Sequence, residues 1–90
     1  MEKRIAHIGI IVENSQSVEQ LNAILHQYAS YIIGRMGLPC PNHQVSVISL
    51  VLDAPTDIIN ALSGRLGMLD GINTKTLYAK TSHKKKTGSE

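Results

Sequence analysis

The chain has 90 residues and a formal net charge of +2, and 42% of its residues are hydrophobic. This length allows one domain with a modest core, to which association with a further chain would add stability. No apolar run is long enough to cross a membrane, no secretory signal pattern occurs, and the single cysteine, Cys40, cannot form an internal disulfide. We therefore expect a cytoplasmic protein without membrane contact.

The positive charge is concentrated at the end of the chain. Acidic and basic residues balance over residues 1–81, which we predict to form a single domain. Residues 82–90 contain a run of three lysines and no apolar side chain, so they lack the means to pack on a core. We predict a disordered basic tail. The alternative is a weak contact with nucleic acid or an acidic partner, which would depend on salt.

Two segments, 5–36 and 45–78, each have the pattern of a strand, a helix and a strand. This doubling predicts an α+β fold, the ferredoxin-like β-α-β-β-α-β sandwich, with a four-stranded antiparallel sheet and two helices on one face. The first helix should begin near Ser17, because Ser17 and Gln20 have the spacing of a capping box. The second should follow Pro55, with Asp53 as a candidate N-cap.

The remaining boundaries come from apolar runs and turn residues. Strand two is predicted at 31–36, strand three at 45–52 and strand four at 72–80, and the prolines at 39 and 41 predict a loop at 37–42. The helix stripes that should face the sheet are Val18, Leu21, Leu25 and Tyr28 in the first helix, and Ile58, Leu62, Leu66 and Leu69 in the second.

Strands one and three are apolar on both faces, because apolar residues occupy both sets of alternate positions. An antiparallel sheet with helices on one side normally leaves its other side polar, so a further surface should cover this one. A self-complementary two-fold contact would do so. We predict a homodimer or homotetramer whose interface includes Ile5, His7, Ile11, Val45, Val47 and Val51.

The sequence offers little that supports catalysis. The serines and the cysteine have no histidine and carboxylate in a recognisable local arrangement, and there is no phosphate-binding loop. We predict that the protein is not an enzyme and has no cofactor. In two Gly-Arg-x-Gly quartets the arginine could clamp a carboxylate or phosphate. For the quartet at 64–67, the end of a helix explains the glycines. For the quartet at 34–37, a purely structural role of the glycines and ligand binding by the arginine both stay open.

Cys40 and His43 have the spacing of metal ligands. A closed zinc site needs four ligands, and the chain offers no second pair of this kind. We therefore predict no metal site within one chain. The candidates for a site completed across subunits are His7, Cys40 and His43.

Three segments resemble the iron-only hydrogenase system regulators of anaerobic bacteria: YIIGRMGLP at 31–39, VISLVLDAP at 47–55 and ALSGRLGML at 61–69. The similarity extends from about residue 3 to residue 80. A more distant similarity connects the chain with ACT domains and with the C-terminal domain of nickel-responsive repressors. Both share the ferredoxin-like fold and assemble through their sheets, so the resemblance implies an ACT-like regulatory module.

The nickel-responsive repressors bind metal through a set of histidines and a cysteine that this chain does not reproduce, and they bind DNA through a separate ribbon-helix-helix domain. No recognition helix with basic residues occurs here, so we expect no autonomous DNA binding. The leading hypothesis is a homo-oligomeric regulator that responds to a small-molecule effector or a protein partner. Its ligand would lie at the subunit interface, near Glu13, Asn14, Ser15, Gly34 and Arg35. The alternatives are a metal-binding sensor with an interfacial site and a structural adaptor without ligand.

Overall fold

A computed structural model describes residues 2–80. The order of its elements is the predicted one, and the basic tail predicted at 82–90 lies outside the described residues. The strands and helices are β1 (Lys3–Val12), α1 (Val18–Gln27), β2 (Ile32–Cys40), β3 (Val45–Pro55), α2 (Thr56–Gly67) and β4 (Ile72–Tyr78). Short 3₁₀ turns occur at Ser15–Ser17, Ala29–Tyr31 and Pro41–His43.

The four strands form one antiparallel sheet in the order β2-β3-β1-β4. β1 lies inside the sheet and pairs with β3 along its whole length and with β4 from Ala6 onwards. Each helix connects two strands that are separated by one other strand. This is the ferredoxin-like topology, which confirms the predicted fold class.

The core lies between the helices and one face of the sheet. Alternate residues of β1 and β3 are buried there, which is the period expected of a strand with one face on a core. No helix within residues 2–80 has both the length and the apolar composition needed to cross a bilayer. The buried side chains of the core are Ala6, Ile8, Ile10, Val12, Leu21, Ile24, Leu25, Ile48, Leu50, Leu52, Ala54, Ile59, Leu62, Leu66 and Ile72.

The predicted helix stripes are confirmed except at Val18, which is exposed. Leu21 and Leu25 of α1 are buried, as are Leu62 and Leu66 of α2. The deeply buried residue of the first turn of α2 is Ile59, whereas Ile58 is only half-buried. Ile59 lies three residues before Leu62, so the two share one side of the helix.

The predicted capping box at Ser17 is wrong. Ser17 is buried, and its hydroxyl donates a hydrogen bond of 2.6 Å to the carbonyl oxygen of Asp70, in the turn between α2 and β4. The cap of the preceding 3₁₀ turn is Asn14, whose Oδ1 accepts a hydrogen bond of 3.0 Å from the amide of Gln16. The hydroxyl thus donates to a carbonyl oxygen that is distant in sequence. In a capping box its oxygen would instead accept a hydrogen bond from an amide of its own helix.

The predicted cap at Asp53 is also wrong. β3 continues to Pro55, and Asp53 lies within this strand, opposite Ile5. The helix begins directly after Pro55 without a side-chain cap at that residue. Within the first turn, Oδ1 of Asp57 accepts a hydrogen bond of 3.0 Å from the amide of Ile58.

β2 is longer than predicted, because it continues through Pro39 to Cys40 in place of the predicted loop at 37–42. Proline has no amide hydrogen, so it cannot make all the hydrogen bonds that an inner strand needs. β2 is an edge strand with a partner on one side only, and it therefore tolerates Pro39. β4 ends at Tyr78, two residues before the predicted end. The longer β2 enlarges both faces of the sheet.

Candidate functional site

The sheet surface opposite the helices is named here the open face. Strand register places His7 between Val51 and Leu77, and Ile11 between Val47 and Asn73. All six residues predicted for the oligomer interface lie on this face. It consists of Lys3, Ile5, His7, Gly9 and Ile11 of β1, Gly34, Met36, Leu38 and Cys40 of β2, Val45, Val47, Ser49, Val51 and Asp53 of β3, and Asn73, Lys75 and Leu77 of β4.

The open face is apolar and accessible. Leu77 is 68% exposed, Met36 67%, Leu38 60% and Ile5 43%. Among the residues described, charge occurs on this face at Lys3, Asp53 and Lys75, which lie toward one end or on the edge strand β4. A contiguous apolar surface of this kind, with charge only at its border, is characteristic of an interaction site.

The centre of the open face is lower than its sides. Gly9 and Ser49 face each other across β1 and β3, and Met36 lies beside Ser49 on β2. A Cβ placed on Gly9 would meet only the imidazole Cε1 of His7, at 3.6 Å, so the space above this glycine is open. Projecting side chains therefore flank a shallow strip.

Three of the predicted ligand residues, Glu13, Asn14 and Ser15, line a groove of about 450 Å³ between the start of α1 and the β2–β3 turn. Two of their side chains are already engaged elsewhere. Oε1 of Glu13 accepts a hydrogen bond of 3.3 Å from Nδ2 of Asn73, and Nδ2 of Asn14 donates one of 2.8 Å to the carboxylate of Asp70. These contacts join the start of α1 to the α2–β4 turn and to β4.

The other two predicted ligand residues, Gly34 and Arg35, lie on opposite faces of the sheet. Gly34 is opposite Val51 on the open face, whereas Arg35 is opposite the buried Leu50 and extends on the helix side. Nη2 of Arg35 donates a hydrogen bond of 2.9 Å to Oδ1 of Asn22 on α1. Within one chain the five residues thus occupy three places, and a common site at a subunit interface stays a prediction.

Arg35 lies beside a hollow between α1 and β2, here named the arginine hollow. Its volume is about 300 Å³, and it is lined by Asn22, Leu25, His26, Ala29, Ile32 and Arg35. Sequence reasoning missed Asn22 and His26. Their spacing of four residues puts them on one side of α1, and strand alternation puts Arg35 on the helix side, so both signals were present in the sequence.

Metal candidates are separated within the chain. Residues 2–80 contain no group of three or more histidine, cysteine, aspartate or glutamate side chains arranged to hold a metal ion. Cys40 lies at the end of β2 opposite Val45, and His43 is in the turn that follows. His7 lies in the row of Gly34, which is about 20 Å along β2 from Cys40.

The topology and the open face define a small ferredoxin-like α+β domain whose most prominent surface is an apolar sheet. The profile of the TM1266-like family, described as "Iron-only hydrogenase system regulator, putative", matches residues 4–76. The chain belongs to this family, which confirms the resemblance found in its sequence. The family description indicates a regulator of an iron-only hydrogenase system.

A solved structure supports the same assignment. The chain is similar to the uncharacterized protein TM1266 from Thermotoga maritima, with 36% sequence identity and a TM-score of 0.85. The alignment covers 88% of this chain and 100% of that one. A comparison with curated proteins finds no match.

Proposed function

We propose that the protein is a non-catalytic regulatory module of an iron-only hydrogenase system, and that it acts in the cytoplasm as a homo-oligomer. Its assembly responds to a small ligand or a protein partner, which binds one assembly state better than another and so shifts the population. The family description supports the regulatory role. The open face is the observation that supports assembly.

The exposed apolar side chains of the open face favour assembly energetically. Burying one large aliphatic side chain contributes roughly 1.5–3 kcal/mol relative to leaving it exposed. Leu77, Met36 and Leu38 are each more than half exposed, so a monomer forgoes most of this contribution on the two edge strands, β2 and β4. A two-fold contact would bury the same patch on both partners at once.

The shape of the open face suits a second copy of itself. Stacked sheets pack about 10 Å apart and interdigitate their side chains. The strip at Gly9 and Ser49 is low enough to receive a projecting side chain such as Met36 of a facing sheet. Charges at the border can remain in water or pair across the contact.

The test is native mass spectrometry of untagged protein purified without oxygen, together with sedimentation velocity. We expect a dimer or tetramer at micromolar concentration. Val47→Asp should convert it to a monomer, because Val47 lies on the inner strand β3, between Ile11 and Leu38 of the open face. Met68→Asp is the control, since this methionine is 86% exposed at the end of α2, on the helix side of the sheet, and should not affect assembly.

Two further variants distinguish a loss of assembly from misfolding. Leu77→Lys and Met36→Lys change exposed side chains, so they should weaken assembly while the circular dichroism spectrum stays native. Assembly of Val47→Asp at micromolar concentration, or a monomeric wild type, would contradict the proposal. The same mass spectrum reports any retained organic ligand or metal, including one held across subunits by His7, Cys40 and His43.

A further inference from the structure

We infer that the arginine hollow binds a small organic carboxylate with a short apolar body. This inference rests on the proposed function, because it assigns a chemical class to the effector of the proposed regulator. It concerns the helix side of the sheet, whereas assembly is proposed for the open face. The two can therefore be tested separately.

The hollow exists because the helices do not cover the edge strand β2 fully. Strand alternation directs Arg35, Gly37 and Pro39 toward the helix side, yet all three are exposed. α1 directs Leu21, Ile24 and Leu25 into the core and leaves a gap between its exposed side and β2.

The polar lining of the hollow selects an anion. A guanidinium, an imidazole and a carboxamide, from Arg35, His26 and Asn22, line it together, and no carboxylate side chain contributes to its lining within the described residues. A guanidinium binds a carboxylate through two parallel hydrogen bonds, which gives direction as well as affinity.

One contact orients this arginine. The hydrogen bond of 2.9 Å from Nη2 of Arg35 to Oδ1 of Asn22 uses one of five guanidinium donors. The same contact uses the acceptor atom of Asn22, so its Nδ2 is presented as a donor. An anion in the hollow would thus find donors from both a strand and a helix.

The apolar lining defines the rest of the ligand. Leu25, Ala29 and Ile32 form the other part of the wall, and inorganic phosphate would leave these groups without a contact. The volume of about 300 Å³ lies at the lower end of the range for small-molecule sites. A carboxylate with a body of about three to five carbons matches both parts of the wall.

The experiment is a titration of ¹⁵N-labelled protein followed by amide chemical shifts, with butyrate as the probe. Butylammonium has a similar apolar chain but the opposite charge, so it tests the need for an anion. Inorganic phosphate is an anion without an apolar chain, so it tests the need for the apolar body. We expect butyrate to bind with a Kd of about 1–10 mM, because so small a ligand makes few contacts. The shifts should centre on residues 22–35, and both other probes should bind more weakly.

Variants connect the binding to named groups. Arg35→Gln should weaken butyrate binding at least about 10-fold, since a hydrogen bond to a charged group is lost. Arg35→Lys keeps the charge and should retain part of the affinity. Lys80→Gln is the control, because it removes the same charge from an exposed residue at the end of the described chain. This variant should bind butyrate like the wild type.

Three results would overturn the inference: no saturable shifts with butyrate, shifts centred away from the arginine hollow, or unchanged binding in a natively folded Arg35→Gln variant. Failure of the two proposals is distinguishable. An oligomer that does not bind butyrate removes the ligand class and leaves assembly standing. A monomer that binds butyrate at Arg35 removes assembly and leaves the site standing.

Discussion

At the scale of single residues, the tightest constraint lies where the β1–α1 turn contacts the α2–β4 turn. Gly71 has a φ of +71°, in the left-handed region that glycine adopts readily. A Cβ at this position would lie 2.5 Å from Cβ of Asn14 and 2.9 Å from its backbone nitrogen. The carbonyl oxygen of Gly71 also accepts a hydrogen bond of 2.7 Å from the amide of Glu13. Backbone conformation and close approach therefore both require glycine.

Gly71→Ala should destabilise the protein by about 1–3 kcal/mol, because it adds a strained φ and a steric conflict. The measurement is the free energy of unfolding in urea. The matched control is Gly64→Ala, which lies within α2 and has no atom within 4 Å of its new Cβ. It should raise stability by up to about 1 kcal/mol through helix propensity. Equal effects of the two substitutions would refute this account of Gly71.

Some of this residue detail was accessible from the sequence and some was not. Strand alternation alone separates Gly34 from Arg35, because neighbouring residues of a strand point to opposite faces. The hydroxyl of Ser17, by contrast, contacts Asp70, 53 residues away in sequence. A local spacing rule could not identify that partner, and it therefore assigned the hydroxyl to the wrong amide.

At the scale of elements, one cluster joins β1, β4 and α2. The guanidinium of Arg4 lies 4.6 Å from the centre of the Tyr78 ring, and its Nη2 donates a hydrogen bond of 3.0 Å to the carbonyl oxygen of Ala79. The phenol of Tyr78 donates one of 2.6 Å to Oδ1 of Asn60 on α2. Nε of Arg4 is buried without a hydrogen-bond partner among the described residues. The ring contact is thus part of what holds this guanidinium in place.

Tyr78→Phe and Tyr78→Ala separate the two contributions of this side chain. The phenylalanine variant keeps the ring over Arg4 and loses only the hydrogen bond to Asn60, so it should cost about 0.5–1.5 kcal/mol. The alanine variant also loses packing and the cation–π contact, so its cost should be larger, at about 2 kcal/mol or more. Urea unfolding of both variants measures the difference. Equal losses would show that the ring contact contributes nothing.

Element boundaries were predictable where one face of a strand is buried and less so where it is not. β1 and β3 alternate strictly between core and open face, and their faces were predicted correctly. β2 is exposed along most of its length and contains Pro39, so neither burial nor propensity marked its continuation to Cys40. Pairing with β3 stabilises the end of β2, and such a partner is not visible in local sequence.

At the scale of the whole molecule, the two faces of the sheet differ in what covers them. The helices bury one face, while the other presents the apolar open face of the single chain. The doubled strand-helix-strand pattern was sufficient to predict this architecture. The functional site was harder, because a groove, a sheet face and a hollow each contain part of the predicted ligand set. Which of them a ligand uses depends on chemistry that is spread over distant segments.

If the open face is buried in an oligomer, stability should depend on protein concentration. The Tm of the wild type should rise over a hundredfold range of concentration, because mass action favours the assembled native state. The Tm of Val47→Asp should not change over the same range. Differential scanning calorimetry measures both. A concentration-independent Tm in the wild type, at concentrations that span its dissociation, would argue against assembly coupled to folding.

The inner position of β1 has a consequence for synthesis. β1 is made first, yet both of its neighbours in the sheet, β3 and β4, are made later, and β2 is not adjacent to it. At about 5–20 residues per second, the ribosome leaves this apolar strand without partners for seconds. A chain truncated after β2 would have two strands that cannot pair with each other in the native arrangement. While β1 waits for its partners, aggregation can compete with folding of this domain, and a chaperone could protect the exposed strand.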